Sequence, residues 1–523
     1  MTDSTFVSTT IPYVNAEPHV GFALELVQTD ALCRYLRLTG NAVHSSTGSD
    51  DHSLKNVRAA EARGEPVREL VRRNAAAFAE LRGALCAEFD EDVSTSVDPR
   101  HAPSVERLLR ALQASGDVYA RRYRGAYCVG CEQFYRSEEL VAGVCPEHER
   151  APEIVEEQNW FFRLSRYEER LRRAIQSNAL RIFPQERKNE VLGFLDSGLE
   201  DFSISRSAER ARGFGLTVPG DPSQVVYVWV DALCNYLSAG GYGELGSDCG
   251  WQRAARRVHV LGKGVLRFHA VYWPALLLSA GLELPNELRV HGYLTVEGKK
   301  IGKSLGNALD PRALCNEVGV NALRYYLLRH ISPFKDADFS RERLIAAHDA
   351  ELADELGNLA LRVLTLVERH CAGRAPELDS HALGEAEQSL NAVSSALPAR
   401  LAAAFADHQL SDGLDAVWDL VRAANRYVDR NEPWRLARRL QEPGVRARLE
   451  TVLSASLSAL RILALALTPF VPELATRLAG AVGVRSAPGT LANCSLLAHT
   501  PRGEQLGPAT PLVPRLRPRA GRT

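Results

Sequence analysis

Cys128-x2-Cys131 and Cys145-x2-His148 stand 13 residues apart in a chain of 523. Each pair can grip one ion through a tight turn, and three thiolates with one imidazole complete a tetrahedral zinc shell with no open position for substrate. The alternative is two unrelated cysteine turns. A second group lies in VEGKKIGKSLGN, residues 296–307, where Lys299, Lys300 and Lys303 crowd a glycine-punctuated loop. Lysines so placed can neutralise a polyphosphate as charge develops on it; the plainer reading is a solvated loop. Two look-alikes fail there. A phosphate-binding P-loop has four residues between its glycines, whereas Gly298 and Gly302 enclose three. The run Gly302-Lys303-Ser304-Leu305-Gly306 fits a nucleophile elbow, but it follows a charged loop rather than a buried strand. A third group is His19 with Gly21 at the start of a predicted helix. There, unpaired N–H groups and a positive dipole end favour an anion, His19 adds a donor, and Gly21 permits close approach. Taken alone it reads as a helix-capping turn.

These residues need elements to hold them. Residues 5–14 read as a strand, 19–38 as a helix closed by Thr39-Gly40, and 42–47 as a second strand leading into TGSDDHS. Strand, turn, helix, strand opens a doubly wound parallel sheet, which binds ligands at the carboxyl ends of its strands. The turns at His19 and Asp50 are therefore expected to face one crevice. Residues 55–115 read as helices, followed by the cysteine-bearing segment to about residue 150. Sheet-like runs return at SQVVYVWVDAL and RRVHVLGKG, so an insertion of about 100 residues is expected to interrupt the sheet. From about residue 350 the pattern is helical: Leu410, Leu414, Val417, Val421, Ala424 and Val428 recur at steps of three and four. The tail GPATPLVPRLRPRAGRT is rich in Pro and Arg, and its last residues are expected to be disordered.

Length and composition bound the possibilities. A chain this long exceeds one hydrophobic core, and 45% apolar residues suffice for two to four domains. The N-terminus has neither a basic nor an apolar targeting region, and residues 457–472 are interrupted by Ser458, Arg461 and prolines, so no membrane span and a cytoplasmic location are expected. A net charge of −1 supplies no global field for a polyanion, which leaves any nucleic acid to local basic surfaces. Ten cysteines are too sparse for a disulfide framework.

In order along the chain, TTIPYVNAEPHVGF, TGSDDHS, YCVGCEQFY with CPEH, GLEDFSISR, VYVWVDALCNYL, RFHAVYWPALL, HGYLTVEGKKIGKSLGN, DADFS, ELGNLALR and NEPW form a series. It resembles the class I aminoacyl-tRNA synthetases, and among them the methionyl-tRNA synthetases with a single zinc knuckle. The likeness runs through nearly the whole chain. It implies a Rossmann-type doubly wound parallel sheet with a zinc-bearing insertion, plus an all-α C-terminal anticodon-binding domain. It divides the chain into a first catalytic half (1–115), the insertion (116–211), a second catalytic half (212–325), a stem-contact region (326–350), an anticodon domain (351–500) and a tail (501–523). The implied activity joins L-methionine to ATP as methionyl-adenylate, with Mg²⁺, and transfers it to the terminal ribose of tRNA(Met).

Carried over residue by residue, the resemblance puts His19, Gly21, Phe22, Lys300, Lys303 and Ser304 on the ATP side. Ile11, Tyr13, Asp50, Trp229, Tyr236 and His269 form the methionine pocket, Asp50 pairing with the ammonium. Asn358, Arg362 and Trp434 read the anticodon, and Cys128, Cys131, Cys145 and His148 hold one structural Zn²⁺. Ligases for leucine, isoleucine or valine share both signatures but carry an editing domain about twice as long as this insertion, because one methylene discriminates by only about 1–3 kcal/mol. Four positions depart from the family: Phe22 for the second His of HIGH, Ser53 for a glycine, Gly264 for the acid of GKD, and Gly302 for a hydroxyl residue in KMSKS. These leave open a weakly or non-catalytic tRNA-binding paralogue, or an enzyme that adenylates methionine or an analogue for another acceptor. The chain's end soon after PLVPRL leads to the expectation of a monomer.

Overall fold

The computed structural model describes residues 4–128, 130, 132–135, 139–146, 149–244, 250–296, 298–301, 309–376, 384–484, 491–501 and 503–517. The chain divides into two compact units: Met1–Pro18, Ala42–Arg82 and Glu88–His291 form one, and His19–Asn41, Gly83–Ala87 and Gly292–Thr523 the other.

The first unit is built on a six-stranded sheet in the order Glu91–Ser94, Ala42–Ser49, Ser4–Ser8, Arg256–Gly262, Glu287–His291, Arg181–Phe183. Every pairing in it is parallel. Its middle strands, STFVS and RRVHVLG, have apolar centres in which Phe6, Val7, Val258, Val260 and Leu261 are fully buried, as a sheet covered on both faces requires. A separate antiparallel sheet is dominated by the long pair Val118–Cys128 and Glu153–Phe162, flanked by Gln133–Tyr135 and Phe202–Ser203. A third sheet joins Thr217–Val218, Asp221–Val226 and Ser205–Ser207.

Four details differ from the sequence reading. The first strand ends at Ser8, with one more ladder bond from Thr9 N to Ser46 O (3.1 Å); beyond it Pro12 has no N–H to donate, and the chain returns only as a bridge, Tyr13 to Asp50. The short strand Glu91–Ser94 lies within the span expected to be helical. SQVVYVWVDAL splits after Val226: its first half is a strand of the third sheet, and Val228–Leu233 is a helix. Finally, Arg181–Phe183, inside the expected insertion, pairs with Glu287–His291 in the main sheet. Three-residue strands lack the length for a readable alternation.

The second unit is helical around Val20–Leu38, Leu410–Asn431 and Val445–Leu467. The six apolar positions from Leu410 to Val428 are all buried, as their spacing predicts. Arg324, fully buried, donates to Asp30 Oδ2 (2.6 Å), Phe470 O (2.8 Å) and Leu85 O (3.0 Å), tying three stretches distant in sequence to the first helix. Carbonyls satisfy the donors that the carboxylate leaves over, the condition under which a buried ion pair is tolerated. Ser458 and Arg461 interrupt the apolar run, as read from the sequence, without breaking the helix. The Val445–Leu467 helix runs through both, since Ser458 Oγ bonds Ser454 O and Arg461 reaches Val482 O and Glu504. It is long and apolar enough to cross a membrane, but 94% of its most apolar window is packed inside the protein. Leu294–Val296 pairs with Lys299–Lys300 and with Ala337–Phe339 in a small sheet.

Candidate active site

In the first unit, the bridge between Tyr13 and Asp50 brings both to the carboxyl ends of adjacent parallel strands. Asp50 N donates to Pro12 O (2.9 Å), and its main-chain carbonyl accepts from Asn56 Nδ2 (3.1 Å), which fixes the turn. The Asp50 side chain is buried and its Oδ1 has no hydrogen-bond partner. Burial pushes its carboxyl well above the usual range, and the charges of Glu132, Asp231 and Asp51 push the same way, against Lys55. A buried carboxylate in this condition calls for a cation.

Aromatic rings stand beside it. Tyr13 meets Trp229 edge-on (6.1 Å), and Trp229 stacks on Phe268 at 3.7 Å and 7°. Ile11 lies against the backbone at Gly48, where an added Cβ would come within 3.1 Å of its Cγ2. His269 Nδ1 donates to Val265 O (2.9 Å), so Nε2 is the acceptor of the Tyr236 hydroxyl (2.8 Å). Behind Tyr236, His259 takes part in a 2.6 Å hydrogen bond with Ser8 Oγ, and burial holds it well below its ordinary pKa. Its Nε2 has no partner. The result is a hydrophobic wall with a neutral polar floor and one carboxylate, suited to a long, weakly polar amino-acid side chain.

Asp231, two residues after Trp229, accepts from His52 Nδ1 (2.8 Å) and His101 Nε2 (2.9 Å). Burial works to raise the Asp231 carboxyl, but the two imidazoles outweigh it and hold the group far below the usual range. Burial likewise works to lower His52; Asp231 prevails and raises it. The helix that carries Trp229 is thus tied to the turn that carries Asp50. Glu132, His52, Asp231 and His259 had no assigned role in the sequence reading. TGSDDHS and the Trp-x-Asp-Ala string displayed two of them, but nothing in linear spacing told that they meet.

In the second unit, His19 caps the first helix: its Nδ1 accepts from Gly21 N (3.1 Å), which puts the neutral ring's proton on Nε2. A Cβ at residue 21 would come within 2.9 Å of the His19 ring, so the cap itself requires glycine. Val20 N donates to Leu309 O (3.1 Å), at the far end of the lysine loop. Phe22 is half-buried in the first turn. Lys300 is described by its backbone only, and Gly302, Lys303 and Ser304 lie outside the described residues. On the helical face, Asn358 opens the Asn358–His370 helix, one turn before Arg362. Arg362 Nη2 pairs with Asp429 (2.6 Å), and its guanidinium lies 5.2 Å from the Trp434 ring centre. Trp434 is half-buried, with Pro433 beneath the surface beside it.

Cys128 and Cys145 share a small buried cluster with Tyr135, whose hydroxyl lies 3.5 Å from Cys145 Sγ. Cys131 and His148 lie outside the described residues; among those described, no group of three potential metal ligands occurs.

The family "tRNA synthetases class I (M)" matches residues 5–151 and 148–364. A methionine–tRNA ligase of Mycobacterium bovis is 38% identical over 517 residues, 98% of either chain. One from Brucella suis is 38% identical over 514 residues, 98% of this chain and 97% of that one. The solved structure of Mycobacterium tuberculosis methionyl-tRNA synthetase in complex with methionyl-adenylate matches with a TM-score of 0.91 at 38% identity, covering 98% of this chain and 100% of that one. The apo form matches at 0.86 and 34%, with 99% coverage of both.

Proposed function

Since the chain belongs to the class I tRNA synthetases (M), we propose that it is a methionine–tRNA ligase acting in the cytoplasm on L-methionine, ATP and tRNA(Met). The observation that carries this reading is the buried, unpartnered Asp50 oxygen beside Tyr13, Trp229 and the Tyr236–His269 pair. A carboxylate supplies what an α-ammonium needs, and the aromatic wall supplies what a thioether needs. Ile11 completes the wall. The methionine carboxylate attacks the α-phosphorus of ATP and pyrophosphate leaves; the terminal ribose hydroxyl of tRNA then displaces AMP. His19, through Nε2–H, and the loop with Lys300, Lys303 and Ser304 stabilise the phosphates, Gly21 and Phe22 shape the turn beneath them, and Mg²⁺ accompanies ATP. Positioning and electrostatics carry the rate, because the protein forms no bond of its own to the substrate. Arg362, Trp434 and Asn358 read the anticodon by stacking and base-edge hydrogen bonds.

The same reading assigns residues 1–115 and 212–325 to catalysis, 116–211 to the knuckle-bearing insertion, 326–350 to stem contact, 351–500 to the anticodon and 501–523 to the tail. Cys128, Cys131, Cys145 and His148 would hold one zinc ion; the shared buried cluster of Cys128 and Cys145 supports this. Such an ion fixes the insertion's local fold.

The test is methionine-dependent ATP–pyrophosphate exchange, with charging of initiator and elongator tRNA followed in parallel. We expect both. No exchange at saturating methionine would sink the ligase reading in favour of a tRNA-binding paralogue, which Phe22, Gly264 and Gly302 on the ATP side favour. Exchange without charging would point to adenylation for another acceptor.

A further inference from the structure

Glu132 follows the second knuckle cysteine in sequence and is completely buried. Its Oε1 accepts from Ser53 Oγ (2.8 Å) and from Lys55 N (3.2 Å), while its main-chain carbonyl accepts from Tyr227 (2.7 Å). The side chain is therefore held rigidly against the turn that carries Asp50. Its other oxygen, Oε2, has no partner. Neither has Asp50 Oδ1; the hydroxyl of Tyr13, the residue that bridges to Asp50, lies close to the Glu132 carboxylate, and burial together with that carboxylate raises the Tyr13 pKa well above its ordinary value. Lys55 Nζ lies 4.1 Å over the Tyr13 ring, so one resident cation is already nearby.

Two buried carboxylates that each keep an oxygen unsatisfied raise the energy of the empty protein, and such groups in a native fold signal a missing ligand. The ligand must be a cation with several N–H donors. An aromatic wall and a polar floor extend from the same place, which suits the α-ammonium of a hydrophobic amino acid. Resting on the ligase reading above, we infer that Glu132 is a second carboxylate of the ammonium site. It reaches that site from the zinc-bearing insertion and is aimed by Ser53. The departure of Ser53 from the family's glycine then has a use: it caps the Leu54–Arg63 helix through Lys55 N (3.0 Å) and orients Glu132 with the same hydroxyl. The pocket is thereby assembled only when the insertion is seated.

Calorimetric titration with methionine, and with the analogue bearing a hydroxyl in place of the amine, tests the assignment. Glu132→Gln keeps an oxygen for Ser53 and removes the charge. We expect it to weaken methionine roughly ten- to a hundred-fold, the worth of one charge-assisted hydrogen bond, with the hydroxy acid and the KM for ATP unchanged. Ser53→Ala, which frees the carboxylate without removing it, should weaken methionine a few-fold and serves if the first variant does not fold. Methionine affinity unchanged in both variants, or equal losses for both ligands, would overturn the inference. Failure of the unsubstituted protein to bind methionine at all would instead count against the ligase reading.

Discussion

Phe22 presents a ring where the family places an imidazole, in the first turn of a helix that His19 caps by accepting from Gly21 N at Nδ1. A phenyl ring cannot donate to phosphate, and one lost donor to a developing oxyanion costs about 3–4 kcal/mol. Phe22→His should therefore raise the pyrophosphate exchange rate, by up to roughly a hundred-fold or more; an unchanged or lower rate would mean the turn has been rebuilt around the ring. Asp231 offers a second test at this scale. The His52 pKa is raised by its pairing with Asp231, so the protonated pair stabilises the fold below the ordinary histidine pKa and that contribution fades as pH rises through the raised one. Asp231→Asn should lower stability by about 1–3 kcal/mol, with the difference from the parent protein larger at pH 6 than at pH 8 in thermal melts. A difference independent of pH would refute the charged pairing. Both His52 and Asp231 are visible in the sequence, but 179 residues separate them, and only the fold states that they touch.

Elements decide what these side chains face. The Val228–Leu233 helix points Trp229 toward Tyr13 and Phe268 while burying Asp231 against His52 and His101, a division a strand would not make in this way. A run of β-branched and aromatic residues biased the reading toward strand, and the tertiary contacts of Asp231 overrode the propensity. On the helical unit, Arg362 is held to Asp429 and lies near the face of Trp434, leaving a half-buried indole beside a guanidinium. We propose that this indole stacks on an unstacked base of tRNA. Trp434→Ala should reduce kcat/KM for tRNA charging by about 1–3 kcal/mol, the value of one stacked base, and leave exchange with methionine and ATP unchanged. Equal losses in both assays would place Trp434 in the structural core instead.

For the molecule as a whole, the proposed zinc knuckle gives the broadest prediction. About one equivalent of zinc should copurify, read by atomic emission, and Cys131→Ser should release it and lower the melting temperature; a native protein without zinc would refute the site. The sequence by itself determined the parallel-sheet class, the helical second part, the buried face from Leu410 to Val428, and the likeness to one synthetase family. Those properties reside in hydrophobic period, turn chemistry and ordered short motifs, all local in the chain. It did not determine that Arg181–Phe183 belongs to the main sheet, that Arg324 ties the first helix to the loop before Pro472, or that Glu132 and Asp50 each keep an oxygen unsatisfied around one turn. These are facts of registry, packing and desolvation between segments far apart in sequence, where no local period records the partner and only the folded chain brings charge to charge.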